Sequence, residues 1–252
     1  MTLGKTFEYV GRIMMVQLFG WGPAFGCHSP SPYVMKSMMQ LDMLGVAYTT
    51  HIADLEEAPY QKAPYVKVDG KIVADSAFIR RYFENKLGKD LDEGLSKAER
   101  ATAWALERMV ESEMGLMLLH ERWLKDENFE RGPAIFFADI PEGMRAPIIE
   151  DVLGKLAMRV DMQGLSRFPE SDRVILFENA VRALSDFLDD KEYMFGDRLT
   201  AVDATTYSFV HSCMSDIFVS PMRDVILGYD NLIAYEKRVG QCCFNTNKWA
   251  AE

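Results

Sequence analysis

A chain of 252 residues has room for two domains, and its 48% hydrophobic and 26% charged residues exclude a disordered or collagen-like polymer. A formal charge of −10 and a pI near 5.0 set it against nucleic-acid phosphates and anionic lipid headgroups, so neither is expected as a partner. Cys27, Cys213, Cys242 and Cys243 form no zinc-binding spacing and no disulfide framework, which fits a reducing cytoplasm and a site without metal.

No signal peptide is read in residues 1–12, where Lys5, Glu8 and Arg12 interrupt a weakly apolar stretch. The apolar run 13–19 is too short to span a bilayer, which takes roughly 20 residues, and reads as a buried strand. A loop rich in Gly, Ser and Pro follows, up to Pro32. A helix is predicted over 31–44, with Pro32 suited to its first position and Gly45 to its stop. Residues 46–52 are rich in β-branched and aromatic types and read as a second strand. Ala63-Pro64-Tyr65-Val66-Lys67-Val68 and Lys71-Ile72-Val73-Ala74-Asp75 flank Asp69-Gly70, the signal of a tight hairpin. A helix over 76–87, with Ser76 as its N-cap, ends at Gly88.

Past a polar linker at 89–95 the strand signals stop. Ser96-Lys97-Ala98-Glu99 matches a capping box and opens a long helix to about residue 124. Residues 132–147 hold three prolines and read as irregular. Further helices are predicted over 146–164, 171–188, 201–220 and 231–238.

Several of these segments, in this order, carry a resemblance. Ser31-Pro32-Tyr33-Val34 opens the first helix, Ala63-Pro64 begins the third strand, and Asp75-Ser76 joins the hairpin to the next helix. Gly196-Asp197-Arg198-Leu199-Thr200-Ala201-Val202-Asp203 and Asn231-Leu232-Ile233-Ala234-Tyr235-Glu236-Lys237-Arg238 follow in the second half. With them the chain resembles glutathione transferases over nearly its whole length. Lys71-Ile72-Val73-Ala74-Asp75-Ser76 and Leu91-Asp92-Glu93-Gly94-Leu95-Ser96 are closest to the branch of metaxins and failed-axon-connections proteins. Gly26-Cys27 with Ser31-Pro32-Tyr33-Val34 resembles bacterial β-etherase transferases over that segment.

The resemblance implies a thioredoxin-like N-terminal domain, βαβ-ββα, at 13–88, a linker at 89–95 and an all-helical C-terminal domain at 96–245. It implies a cytoplasmic homodimer that uses glutathione as co-substrate in detoxification-type chemistry on a small hydrophobic electrophile, with no metal and no membrane span. A fold kept only for scaffold, interaction or transport roles, as in metaxin-like relatives, is the alternative.

Site residues follow residue by residue. A cis Pro64 would turn the backbone of Ala63 toward the tripeptide, Asp75 would pair with the γ-glutamyl amine, and Ser76 with the N–H groups behind it would hold the γ-glutamyl carboxylate. Ser31 stands where cysteine-type relatives carry a thiol, and Val34 replaces the second thiol of glutaredoxins, so a dithiol cycle at those positions is excluded. A free thiol with a pKa of about 8.5 is only about 3% ionised at pH 7. A hydroxyl donor to the anion is worth roughly 1.5–3 kcal/mol, and the helix dipole adds about 0.3–1 kcal/mol. Ser31 would therefore stabilise glutathione's thiolate without itself becoming the nucleophile. Ser29 competes for that role, and Cys27 offers a monothiol-exchange alternative. Trp21, Phe25 and Tyr33, with Met109, Met114 and Met117, would line an apolar pocket for the electrophile. His120 reads as a surface or helix-packing residue.

Overall fold

In the structure, a computed structural model, residues 15–244 and 249 are described. The reading of residues 1–12, the start of the first strand at Ile13 and the end of the helical domain at Asn245 lie outside them. Strand β1 (Val16–Gly20) pairs in parallel with β2 (Tyr48–Ile52) and antiparallel with β3 (Tyr65–Val68), which pairs antiparallel with β4 (Lys71–Ala74). The order β2-β1-β3-β4 is the expected thioredoxin-type sheet. The register sets Leu18 opposite Val66, and both side chains are fully buried. Asp69 and Gly70 both take positive φ (50° and 73°), the conformation that a two-residue hairpin needs.

Helix α1 (Pro32–Leu44) starts and stops where its proline and Gly45 predict, Gly45 closing it at φ 73°. It is buried along most of its length, Val34, Met35 and Met39 completely. Gly20 lets it lie close on the sheet, since a Cβ there would meet Val34 Cγ1 at 2.7 Å. Helix α2 (Ser76–Leu87) ends at Gly88, again in the left-handed region. Residues 89–95 form turns that are pinned at several points. Asp92 accepts from Arg80 (2.5 Å) and from the Ala201 N–H (3.1 Å), and Arg100 donates to the Asp92 carbonyl (2.7 Å).

The long helix predicted after residue 96 forms as α3 (Lys97–Met109), one wide π-helical turn (Val110–Met114) and α4 (Gly115–Trp123). Its Ser96–Glu99 capping box is closed in both directions. Helix α5 (Asp126–Arg131) and a 3-10 turn (Pro133–Phe137) lead to α6 (Glu142–Met162). Helix α6 begins four residues earlier than predicted and contains Pro147, which costs one backbone bond near the start of the helix. Helix α7 (Glu170–Leu188) precedes α8 (Ala201–Cys213), buried on nearly every side and packed against α1, α3 and α10 (Asp230–Cys243). The single helix expected over 201–220 instead breaks after Cys213, and a short α9 (Pro221–Leu227) starts at a proline behind the Ser220 cap. Where Thr200 and Asp203 close a second capping box, Asp203 also accepts from the Met194 N–H (2.9 Å) and the Tyr235 hydroxyl (3.0 Å), which ties α8 to α10.

Candidate functional site

A cavity of about 520 Å³ opens between the sheet-containing half and the helical half. Lys62, Ala63, Pro64, Asp75, Ser76 and Phe78 form one wall; Arg108, Glu111, Ser112, Leu116, Arg159 and Gln163 form the other, and Tyr33 reaches it from α1. A second hollow beside the β3–β4 hairpin, lined by Lys67, Asp69 and Lys71 among others, contains none of the expected site residues.

The first wall is built from backbone turns. The Ala63–Pro64 bond is cis, and the Pro64 carbonyl accepts from the Asp75 N–H at 3.1 Å, which clamps the two motifs together. Asp75 takes φ 76°, a sparsely populated conformation for a residue with a Cβ and one that clusters at functional sites. Its Oδ1 accepts from the Ala77 N–H at 2.9 Å. Asp75 is therefore the N-cap of α2, not Ser76 as the sequence suggested: the left-handed turn swings the carboxylate over the first amides of the helix. Ser76 becomes the first helical residue, buried in the cavity wall with its hydroxyl outside the cap.

The second wall is built from side chains. Arg108, Glu111 and Ser112 share a face of α3 and the π-helical turn, and Arg159 and Gln163 share a face at the end of α6. A fully buried Lys36 on α1 anchors this wall, with Nζ 3.2 Å from Glu107 and 2.6 Å from Glu111. Arg80 bridges Glu84 (2.9 Å), Asp92 (2.5 Å) and Glu107 (3.3 Å), and Arg108 binds Glu111 at 2.5 Å while lying 4.6 Å over the Trp104 ring. The Tyr33 hydroxyl donates to the Glu111 carbonyl at 3.3 Å. Burial, reinforced by Glu111, pushes its pKa up to about 12, so it remains a proton-bearing donor at neutral pH.

Ser31 occupies the N-cap position of α1, but its hydroxyl makes no cap bond; its own N–H approaches Ser29 Oγ at 3.4 Å. It does not line the cavity, which it borders through Tyr33 two residues on. Ser29 is completely buried. Cys27 is buried too, its thiol donating to the Phe25 carbonyl at 3.6 Å. Burial raises that thiol's pKa, but a hydrogen bond from His211 and the charge of Arg122 outweigh it and bring the pKa below the ordinary thiol value. His211 in turn pairs with Glu236 at 2.6 Å.

Of the residues expected to line an electrophile pocket, Tyr33 faces this cavity. Met114 and Met117 are core residues, and Met109 packs partly buried against the same core. Trp21 and Phe25 join an aromatic cluster instead: Phe136 lies 6.0 Å from Trp21 and 5.7 Å from Phe25, and Phe218 lies 5.2 Å from Phe25. Helical periodicity shows which residues share a face, not whether that face meets core or cavity. The polar sets at 108, 111, 112 and at 159, 163 were the available signal for the second wall. His120 pairs with Glu121 at 3.3 Å. Among the described residues no group of three or more His, Cys, Asp or Glu is placed to hold a metal ion, and no helix is long and apolar enough to cross a membrane.

Comparisons with known proteins agree with this architecture. The family described as "Glutathione S-transferase N-terminal domain" matches residues 32–128, and "Glutathione S-transferase, C-terminal domain" matches residues 177–239. An isoprene-epoxide–glutathione S-transferase of Rhodococcus sp. (strain AD45) is 31% identical over 237 residues, covering 89% of this chain and 98% of that protein. Failed axon connections of Drosophila melanogaster is 26% identical over 231 residues, covering 86% of this chain and 55% of that one. A solved glutathione S-transferase from Methylobacterium radiotolerans, in complex with glutathione sulfonate, superposes with a TM-score of 0.59 at 17% identity, covering 94% of this chain and 96% of that one, a likeness of fold.

Proposed function

The chain belongs to the glutathione S-transferase family, and from that premise we propose that it binds glutathione between its two halves, holds the thiol as a thiolate and transfers it to a small electrophile. The observation that carries the reading is the clamp between the cis Ala63–Pro64 corner and the Asp75–Ser76 turn, which brings both motifs into one cavity. The Ala63 backbone pairs with the tripeptide. Ser76 and the first amides of α2 take the γ-glutamyl carboxylate, where helix N–H groups favour an anion. Asp75, already at the rim, meets the amine.

Ser31 donates to the sulfur. Its hydroxyl, uncommitted to the helix cap, is available for that bond. The thiol proton leaves to solvent, and the thiolate's electron pair forms the new C–S bond as the electrophile's leaving group, or the oxygen of an opened epoxide ring, takes the displaced pair. Epoxides are the class to test first, from the name of the 31% relative. We place the N-terminal domain at 13–88, the linker at 89–95 and the helical domain at 96–245, and read the protein as a cytoplasmic homodimer acting in detoxification-type chemistry.

The test is glutathione binding by calorimetry at pH 7 and pH 9, on the wild type and Ser31→Ala. Micromolar to low-millimolar binding with proton release at pH 7, the release reduced by the substitution, supports thiolate stabilisation. Absence of binding at both pH values overturns the reading and leaves the fold to an interaction role.

A further inference from the structure

Glutathione carries two carboxylates, and the sheet-side wall offers a partner for each: the first amides of α2 with Ser76 for one, Lys62 for the other. Five charged side chains line it: Lys62, Arg108 and Arg159 against Asp75 and Glu111. Glu111 is already neutralised, by Lys36 at 2.6 Å and Arg108 at 2.5 Å, and Asp75 caps α2. The side chain of Arg159, at the exposed rim, makes no ion pair or hydrogen bond among the described residues. The Nε of Arg108 is buried without a hydrogen-bond partner, although its guanidinium is held in place by Glu111 and the Trp104 ring. A buried donor without an acceptor is uncommon enough to need a reason. Both arginines and Tyr33 line the same cavity. Three cations against two carboxylates leave one net positive charge, a local reversal in a chain of net charge −10 that favours anions in the cleft.

We propose that Arg159, with Arg108 beside it, forms a carboxylate subsite for the second substrate, so that the preferred electrophile carries an acidic group. This rests on the transferase reading and refines its substrate class: the hydrophobic electrophile expected from the sequence becomes an acidic one. Planar guanidinium groups bind carboxylates through paired N–H donors, which orients as well as attracts. Held there, the electrophile presents its reactive carbon to the thiolate; the C–S bond forms from the sulfur pair and the leaving group departs with its own.

A matched pair of probes tests it: a chlorodinitrobenzoate and its methyl ester, which lose the same chloride to the same thiolate and differ in charge. Rates are referred to those with free glutathione thiolate in buffer. In the wild type, kcat/KM for the acid exceeds that for the ester by about tenfold, a gap that narrows at 1 M salt, where the screening length falls to about 3 Å. Arg159→Gln removes the preference by raising KM for the acid, leaves the ester and the glutathione Kd unchanged, and Arg159→Lys restores part of it. Equal rates for the two probes in the wild type, or a preference that survives Arg159→Gln, overturn the proposal. Loss of glutathione affinity in Arg159→Gln with equal losses for both probes overturns it as well, because the arginine then holds a carboxylate of glutathione. Calorimetry with benzoate alone, wild type against Arg159→Gln, reads the subsite even if glutathione fails to bind, a failure that would count against the transferase reading instead.

Discussion

The two walls of the cavity are made of different material. On the sheet side the functional groups are backbone amides and carbonyls aimed by a cis proline, a left-handed aspartate and a helix start, all within residues 63–77. On the helical side they are long side chains from α3 with its π-helical turn and from α6, about 50 residues apart, the first set held by a buried ion network that reaches back to Lys36 on α1. The first wall is local because one hairpin and the Asp75 N–H to Pro64 carbonyl bond bring its two motifs together. The second is non-local and depends on burying charge, which is tolerable only while every partner is present. A fold that keeps the first wall and varies the second can hold one common co-substrate while changing the other.

The largest expected effect comes from breaking the second wall at its anchor. Lys36→Met leaves Glu107 and Glu111 buried with fewer counter-charges and should cost about 3–5 kcal/mol. Denaturant unfolding measures it; a loss below about 1 kcal/mol would mean that Arg80 and Arg108 already suffice and that the two walls are not built so differently.

The next effect concerns the buried loop before α1. His211 carries a pKa raised to about 9: burial opposes its charge, but the hydrogen bond with Cys27 and the Glu236 carboxylate more than compensate. A folded pKa above the unfolded one means that the stabilisation is complete below about pH 6.5 and disappears as pH rises through 9. His211 by itself should lose up to about 3 kcal/mol between pH 6.5 and 9.5, and the lowered pKa of Cys27, whose contribution grows as pH rises, offsets part of that loss. Thermal unfolding across that range should show the decline in the wild type, a shallower one in Glu236→Gln and in Cys27→Ala, and the flattest profile in the double variant.

Ser31→Ala should reduce turnover at pH 7 by about 10- to 100-fold, as expected for losing a hydrogen bond worth roughly 1.5–3 kcal/mol to an anion. The deficit should shrink at pH 9, where solution ionises the thiol unaided; a deficit that stays constant with pH would remove Ser31 from thiolate stabilisation. The smallest effects separate two duties of Asp75. Asp75→Asn keeps a good cap, so stability should change by less than about 0.5 kcal/mol while glutathione Kd rises about tenfold. Asp75→Ala should lose the affinity and also about 1 kcal/mol of stability. Equal Kd values for wild type and Asp75→Asn would leave the carboxylate with the cap alone.

Much of the fold was legible in the chain. Pro32, Gly45, Asp69-Gly70, Gly88 and Ser96–Glu99 are local signals, and helices and turns obey them where they occur. The cap was misassigned by one residue because serine and aspartate both suit the position; only the φ of Asp75 decides between them. The helix break after Cys213 and the helical start ahead of Pro147 went unread, since burial on all sides hides periodicity in the first and a single proline is tolerated early in the second. Helical spacing likewise does not separate core from pocket for the methionines of the long helix, of which Met114 and Met117 are core.

The sequence by itself determined the order of elements, the corner at Ala63–Pro64 and the turn at Asp75–Ser76, because each depends on backbone preferences of residues adjacent in the chain. Only the tertiary structure decided that Arg108, Glu111, Arg159 and Gln163 face that corner, that Cys27 meets His211 and Arg122, and that Lys36 lies buried among carboxylates. Those meetings are set by how helices pack over a shared core, where the orientation of each face depends on all of its neighbours and is written in no short stretch of the chain.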